Sequence, residues 1–189
     1  MATRHCERNR PPALLLILLL LFLGAHRASA QSSAVPEYQL KATFLFQFTQ
    51  FVDWPAQAFS ASESPLTIGI LGQDPFGSFL DDTIRDENIN EHPLVVERYA
   101  RLEDVRNCHL LYISRAEAGR IHEIVAALKG RSVLLVSDAE GFADGGGMIQ
   151  FVRQQNKMGL RINLSAARSA NLTLSSKLLR LATLAPGTR

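Results

Sequence analysis

The chain has 189 residues, 47% of them hydrophobic and 20% charged, which excludes a disordered or fibrous polypeptide. Its formal net charge is +2, with 20 Lys and Arg against 18 Asp and Glu. Four of those arginines and one Glu fall in the first thirty residues. The remaining sixteen basic and seventeen acidic residues give no electrostatic footprint for nucleic acid or anionic lipid.

Residues 1–30 read as a secretory signal peptide. Arg4, Arg8 and Arg10 precede the apolar run "ALLLILLLLFLGA" from Ala13 to Ala25, and "ASA" at 28–30 puts small residues before a cleavage after Ala30. The run is shorter than the roughly 20 apolar residues of a membrane span. Export to the periplasm is therefore expected. Residues 31–36 form a short polar leader, and residues 37–189 suit one domain with a proper core. Cys6 leaves with the signal, so Cys108 is the one mature thiol, either buried and free or bridged to another molecule.

"YQLKATFLFQFTQFVDWP" (38–55) concentrates six aromatics in a short stretch. Pro36 and Glu37 suit a first helical turn, and Pro55 ends the helix. At about 100° per residue Leu40, Phe44, Leu45, Phe48, Phe51 and Val52 share an arc of roughly 140°. Lys41 falls inside that arc, where its stem is expected to snorkel. Phe46 points the other way. Phe44, Phe46 and Phe48 also alternate as in a strand, but the full length fits a helix better.

"LTIGILG" (66–72) predicts a strand, "QDPFG" a turn and "FGSFLDDTI" a short helix. Strands follow at "LVVERYA" (94–100) and "CHLLYIS" (108–114), separated by the polar connection "RLEDVRN". The helix "RAEAGRIHEIVAALKG" has Ser114 as N-cap and Gly130 beyond its end. "RSVLLVSD" (131–138) is a fourth strand, and "AEGFADGGG" reads as a flexible loop before the strand "MIQFVRQ". "QNK" turns into the sixth strand, "MGLRINLS", and "SAARSAN" and "SSKLLRLATL" read as two helical pieces. Alternating apolar strands and helices imply an α/β fold. The expected architecture is a three-layer α/β/α sandwich, its mostly parallel sheet of about five or six strands carrying an antiparallel edge hairpin.

No catalytic constellation emerges. "GILGQDPFG" follows a strand but matches neither G-x-G-x-x-G nor a Walker A. Cys108 and His109 are adjacent, so in a strand they face opposite ways and form no dyad. His92, His109 and His122 lack the close neighbours of a zinc site, and Asp81, Asp82, Asp86 and Glu87 lack calcium-loop spacing. "NLS" at 163 and "NLT" at 171 match glycosylation acceptors, which matter only in a eukaryotic secretory route. No enzyme, cofactor or metal is expected, which leaves protein binding or ligand sensing. Phe46 and Trp54, off the main apolar face, are the candidate anchors for a partner protein. Arg161, Asn163 and Arg168, near the last strand's end, could instead hold an acidic small molecule.

The stretches at 38–55, "IGILGQDPFGSFLDD", "CHLLYIS" and "MIQFVRQQNKMGLRINLSAARSANLTLSSKLLRLA" resemble, in order and spacing, the YfiR family of bacterial periplasmic proteins. The resemblance runs from about Tyr38 to Ala182. It implies a non-enzymatic repressor that binds the periplasmic part of an inner-membrane diguanylate cyclase, lowering cyclic-di-GMP and biofilm output. An outer-membrane lipoprotein is a further implied partner, and homodimerisation stays open, as does a sensor role beside a histidine kinase or TonB-linked system. The family commonly has a cysteine near the position of Gly69, able to bridge to the one in "CHLLYIS". With glycine there, redox control through that bridge is not expected.

Overall fold

The computed structural model describes residues 34–154 and 157–185, with side chains from Glu37 onward. The signal segment 1–30 and residues Gln155 and Asn156 of the expected "QNK" turn lie outside the described residues. Contacts divide the chain into two units, Met1–Glu37 and Tyr38–Arg189, and the sheet with its flanking helices belongs to the second.

Helix α1 (Ala34–Phe51) starts two residues before Pro36, whose missing N–H falls in the first turn, where no intrahelical bond is due. It ends earlier than Pro55 suggests, because Val52–Asp53 turn extended as β1 and pair antiparallel with Thr173–Leu174, β9. The buried stripe is Lys41, Ala42, Leu45, Phe48, Thr49 and Val52, at i, i+1, i+4, i+7, i+8 and i+11. The expected apolar arc is thus rotated. Leu40 is 46% exposed, while Lys41 does not snorkel and is only 2% exposed.

The main sheet has eight strands in the order β10-β8-β7-β6-β5-β2-β4-β3. β2 (Leu66–Leu71), β4 (His92–Tyr99), β5 (Leu110–Ile113), β6 (Leu134–Ser137) and β7 (Ile149–Gln154) run parallel. β2, β5 and β6 are buried at every residue, which is why they read as continuous apolar runs. Two short edges correct the expected count of five or six strands. β3 (Asn88–Ile89) pairs antiparallel with β4 through a turn whose central residues, Asn90 and Glu91, both have positive φ, as a type I′ hairpin requires. At the far edge β10 (Ala182–Leu184) lies parallel to β8 (Lys157–Ile162). The β7–β8 hairpin is antiparallel as expected, but it is covered by β10 and is not the edge.

Helices flank the sheet: α2 (Ser78–Ile84), α3 (Ile121–Ala127), α4 (Leu164–Ser169) and α5 (Ser176–Arg180). α1 packs on the face that carries Tyr112 and Phe151. Phe44 and Phe48 meet Phe151 at ring separations of 6.0 and 5.9 Å, and Phe76 stands edge-on to Tyr112 at 4.8 Å. Residues 139–147, expected as a flexible loop, are packed down. Phe142 and Ala143 are fully buried, and the Gly145 and Gly147 amides donate to the carbonyls of Gly141 and Phe142. Gly147 leaves room for the Phe142 ring there, since a Cβ would lie 2.2 Å from it. Among the described residues no helix is long and apolar enough to cross a membrane.

Candidate functional site

Two constellations stand at opposite ends of the sheet. At the C-terminal end of β6, Asp138 follows the buried "LLVS" run and is itself buried. Its Oδ2 accepts from Lys41 Nζ at 2.6 Å, Tyr38 Oη at 3.1 Å and the Arg115 guanidinium at 3.3 Å, and its Oδ1 accepts from Tyr112 Oη at 2.9 Å. The Lys41 ammonium also sits 4.2 Å from the Tyr38 ring centroid. Burial pushes the Asp138 carboxyl up, but Lys41, Tyr112 and Arg115 outweigh it and hold it below the ordinary carboxylate range. The Tyr112 hydroxyl is driven up by burial and by the adjacent Asp138. A carboxylate with four donors is fixed and ionised, suited to clamping α1 onto the sheet and unsuited to proton transfer. The sequence signal was available: a lysine within an apolar stripe needs a buried counter-charge, and "VSD" supplies one where an apolar strand ends.

At the opposite end, around the starts of β2, β4 and β5, lies a cavity of about 220 Å³ lined by Thr49, Asp53, Trp54, Phe59, Asn90 and His92, with Val52, Ala56, Leu66 and Ile89 between them. Phe59 is sandwiched between two imidazoles, 3.8 Å from His92 and 4.5 Å from His109 between ring centroids. His109 Nδ1 accepts from the Thr67 amide at 3.1 Å, so its Nε2 carries the proton and donates to the Ala58 carbonyl at 3.1 Å. Burial pushes its pKa below the usual histidine value, the Ala58 hydrogen bond opposing and His92 adding to the fall. The Trp54 indole donates to the His109 carbonyl at 3.0 Å, which fixes the ring at the cavity wall.

The residues singled out in the sequence distribute as follows. Phe46 is half-buried and packed against the core from α1, whereas Trp54 is half-buried at the cavity. Arg161 pairs with Asp144 at 2.8 Å. Asn163 caps α4, accepting from the Ala166 amide and donating to the Ala143 carbonyl. Arg168 is exposed in the last turn of α4. Cys108 is buried beside Gly69, where an added Cβ would come 2.7 Å from its sulfur, and burial pushes its thiol up to about 12. In "QDPFG" the Phe76 and Gly77 amides are satisfied internally, donating to Asp74 Oδ1 at 2.7 and 3.3 Å. Among the described residues no group of three His, Cys, Asp or Glu is placed to hold a metal.

The family model described as YfiR/HmsC-like matches residues 38–183, most of the chain and all but the last two described residues of its second unit. The chain belongs to the YfiR/HmsC-like family. No curated protein matches it. The family is in general one of periplasmic regulators rather than catalysts, associated with diguanylate cyclase signalling. For this YfiR/HmsC-like chain that places the interest in surfaces and pockets rather than in a reacting centre.

Proposed function

We propose that this YfiR/HmsC-like protein is exported, loses residues 1–30, and in the periplasm binds and represses an inner-membrane diguanylate cyclase. The family match over 38–183 is the observation that carries the reading. A repressor must bind one conformation of its target preferentially, and a near-complete switch needs about 5.5 kcal/mol of preference. Buried aromatic anchors are the usual source of such energy. Trp54, half-exposed and held rigidly by the His109 carbonyl, and Phe46 on α1 are the residues assigned to that contact. An outer-membrane lipoprotein that relieves the inhibition and a homodimeric state complete the proposal.

The test is cellular cyclic-di-GMP with the gene deleted and then restored. Deletion should raise it and drive biofilm formation. Restoration should reverse both, and folded Phe46→Ala or Trp54→Ala proteins should fail to do so. Unchanged cyclic-di-GMP on deletion would sink repression, and full complementation by both variants would remove the two anchors. The second reading, an acidic ligand held by Arg161, Asn163 and Arg168, rests on the exposed Arg168, since Arg161 pairs with Asp144 and Asn163 caps α4. A thermal-shift panel of carboxylates and phosphates tests it, and no rise in the melting point overturns it.

A further inference from the structure

The cavity at the N-terminal end of the sheet is small, about 220 Å³, below the usual range of roughly 300–1,000 Å³ for ligands of drug size. It fits one short chain of heavy atoms. The polar groups around it are unequally committed. The Thr49 hydroxyl donates to the Phe46 carbonyl at 2.6 Å and the Trp54 indole to the His109 carbonyl, so both of these donors are already engaged. His92 Nδ1 lies 2.7 Å from the Ser64 carbonyl, which can only accept, so the proton sits on Nδ1 and Nε2 of the neutral ring is an acceptor. Asp53, on the exposed face of β1, adds a carboxylate, and Asn90 an amide oxygen.

Asn90 lines the cavity from a turn in which it and Glu91 both have positive φ, a conformation that non-glycine residues adopt with strain. The walls are apolar and aromatic, from Val52, Leu66, Ile89, Trp54 and Phe59. A cavity whose lining joins apolar side chains to acceptors and a carboxylate suits a donor-rich cation on an aliphatic stem, and the Trp54 ring adds cation–π attraction.

We propose that this cavity binds a primary ammonium group carried on a short aliphatic stem, either a free alkylamine or a lysine side chain. The site shares no residue with Arg161, Asn163 and Arg168 of the acidic-ligand reading, and it does not depend on the cyclase reading. Asp53 holds the ammonium, His92 Nε2 and Asn90 accept its remaining protons, and the stem lies against Trp54.

Trp54 is the chain's single tryptophan, so its fluorescence reports directly on the cavity. Purified protein is titrated with n-butylammonium, with n-butanol and n-butyrate as neutral and anionic matches, and with Nα-acetyl-lysine amide. Saturable change with n-butylammonium alone among the three butyl compounds is expected. Asp53→Asn should weaken it about tenfold or more, the loss of one charge-assisted hydrogen bond. Asn90→Gly, which keeps the type I′ turn, should weaken it severalfold. Unchanged thermal melts separate both effects from misfolding. Saturation by the lysine derivative as well assigns the site to a protein side chain, and saturation by the free amine alone assigns it to a metabolite. No saturable change with either, equal binding of n-butanol, or undiminished binding by Asp53→Asn overturns the proposal.

Discussion

Lys41→Met tests how α1 is held to the sheet. The lysine and Asp138 are both about 2% exposed and 2.6 Å apart, so neither charge has water to fall back on. Removing one member of a buried pair costs about 3–5 kcal/mol, because the other is left as an uncompensated charge. Tyr38, Tyr112 and Arg115 still donate to Asp138, which favours the lower end, about 3 kcal/mol. With a urea slope of about 2 kcal/mol per molar for a domain of this size, the midpoint should fall by about 1.5 M. The double variant Lys41→Met/Asp138→Asn should recover at least half of that loss, since removing both charges removes the unpaired one.

The pH dependence has a definite sign. In the wild type the folded-state pKa of Asp138 lies below its unfolded value of about 3.9, so its contribution is whole above that pH and lost as pH falls through the folded value. In Lys41→Met burial, the largest influence on this carboxyl, is less opposed and pushes it up, so acid relieves the variant. The gap between the two proteins should therefore narrow from pH 7 to pH 4. Equal urea midpoints at pH 7, within about 0.5 kcal/mol of stability, would refute the clamp.

Four further outcomes are expected. His109 is held neutral by burial, so its contribution to stability is whole above its unfolded pKa of about 6.5 and declines as pH falls below it; urea midpoints at pH 7 and pH 5 should show that slope, and His109→Gln should flatten it. Cys108 should react with a thiol reagent only as fast as the protein unfolds, and a fast native-state reaction would contradict its burial. Gly69→Cys brings a second thiol against Cys108; oxidised, it should lose both free thiols and gain up to about 2–4 kcal/mol, less the cost of moving the Tyr99 ring that lies 2.6 Å from the new Cβ. Gly147→Ala should cost about 1–3 kcal/mol in denaturant melts by driving a methyl into the buried Phe142 ring, whereas Gly119→Ala, which meets nothing within 4 Å, should have little effect.

The long parallel strands were legible because double burial turns them into unbroken apolar runs, as in "LTIGIL" and "LLVS". The two-residue strands Val52–Asp53, Asn88–Ile89 and Thr173–Leu174 were not, since two residues carry no periodicity. "LATL" reads as helix by composition, yet Ala182–Leu184 pair with β8, where an open sheet edge outweighs local propensity. The face of α1 was misplaced for a different reason. Hydropathy ranks Leu40 above Lys41, and only the carboxylate of Asp138, 97 residues away, reverses that order.

The same pair bears on what the aromatic stretch at 38–55 does. Its N-terminal part, through Tyr38 and Lys41, is bound at the C-terminal end of β6, and its C-terminal part, through Val52 and Trp54, at the N-terminal ends of β2, β4 and β5. α1 therefore runs against the strands, fixed at both ends by polar contacts and between them by Phe44 and Phe48 on Phe151. A segment held this way keeps Phe46 and Trp54 on a rigid base, and under the proposed partner contact that rigidity would lower the ordering cost of binding. If Lys41→Met leaves the Trp54 cavity intact, the two ends act independently, because the core between them absorbs the change. If it also weakens n-butylammonium at Trp54, α1 moves as one body, and occupancy of the cavity becomes a means of shifting the face that Phe46 occupies.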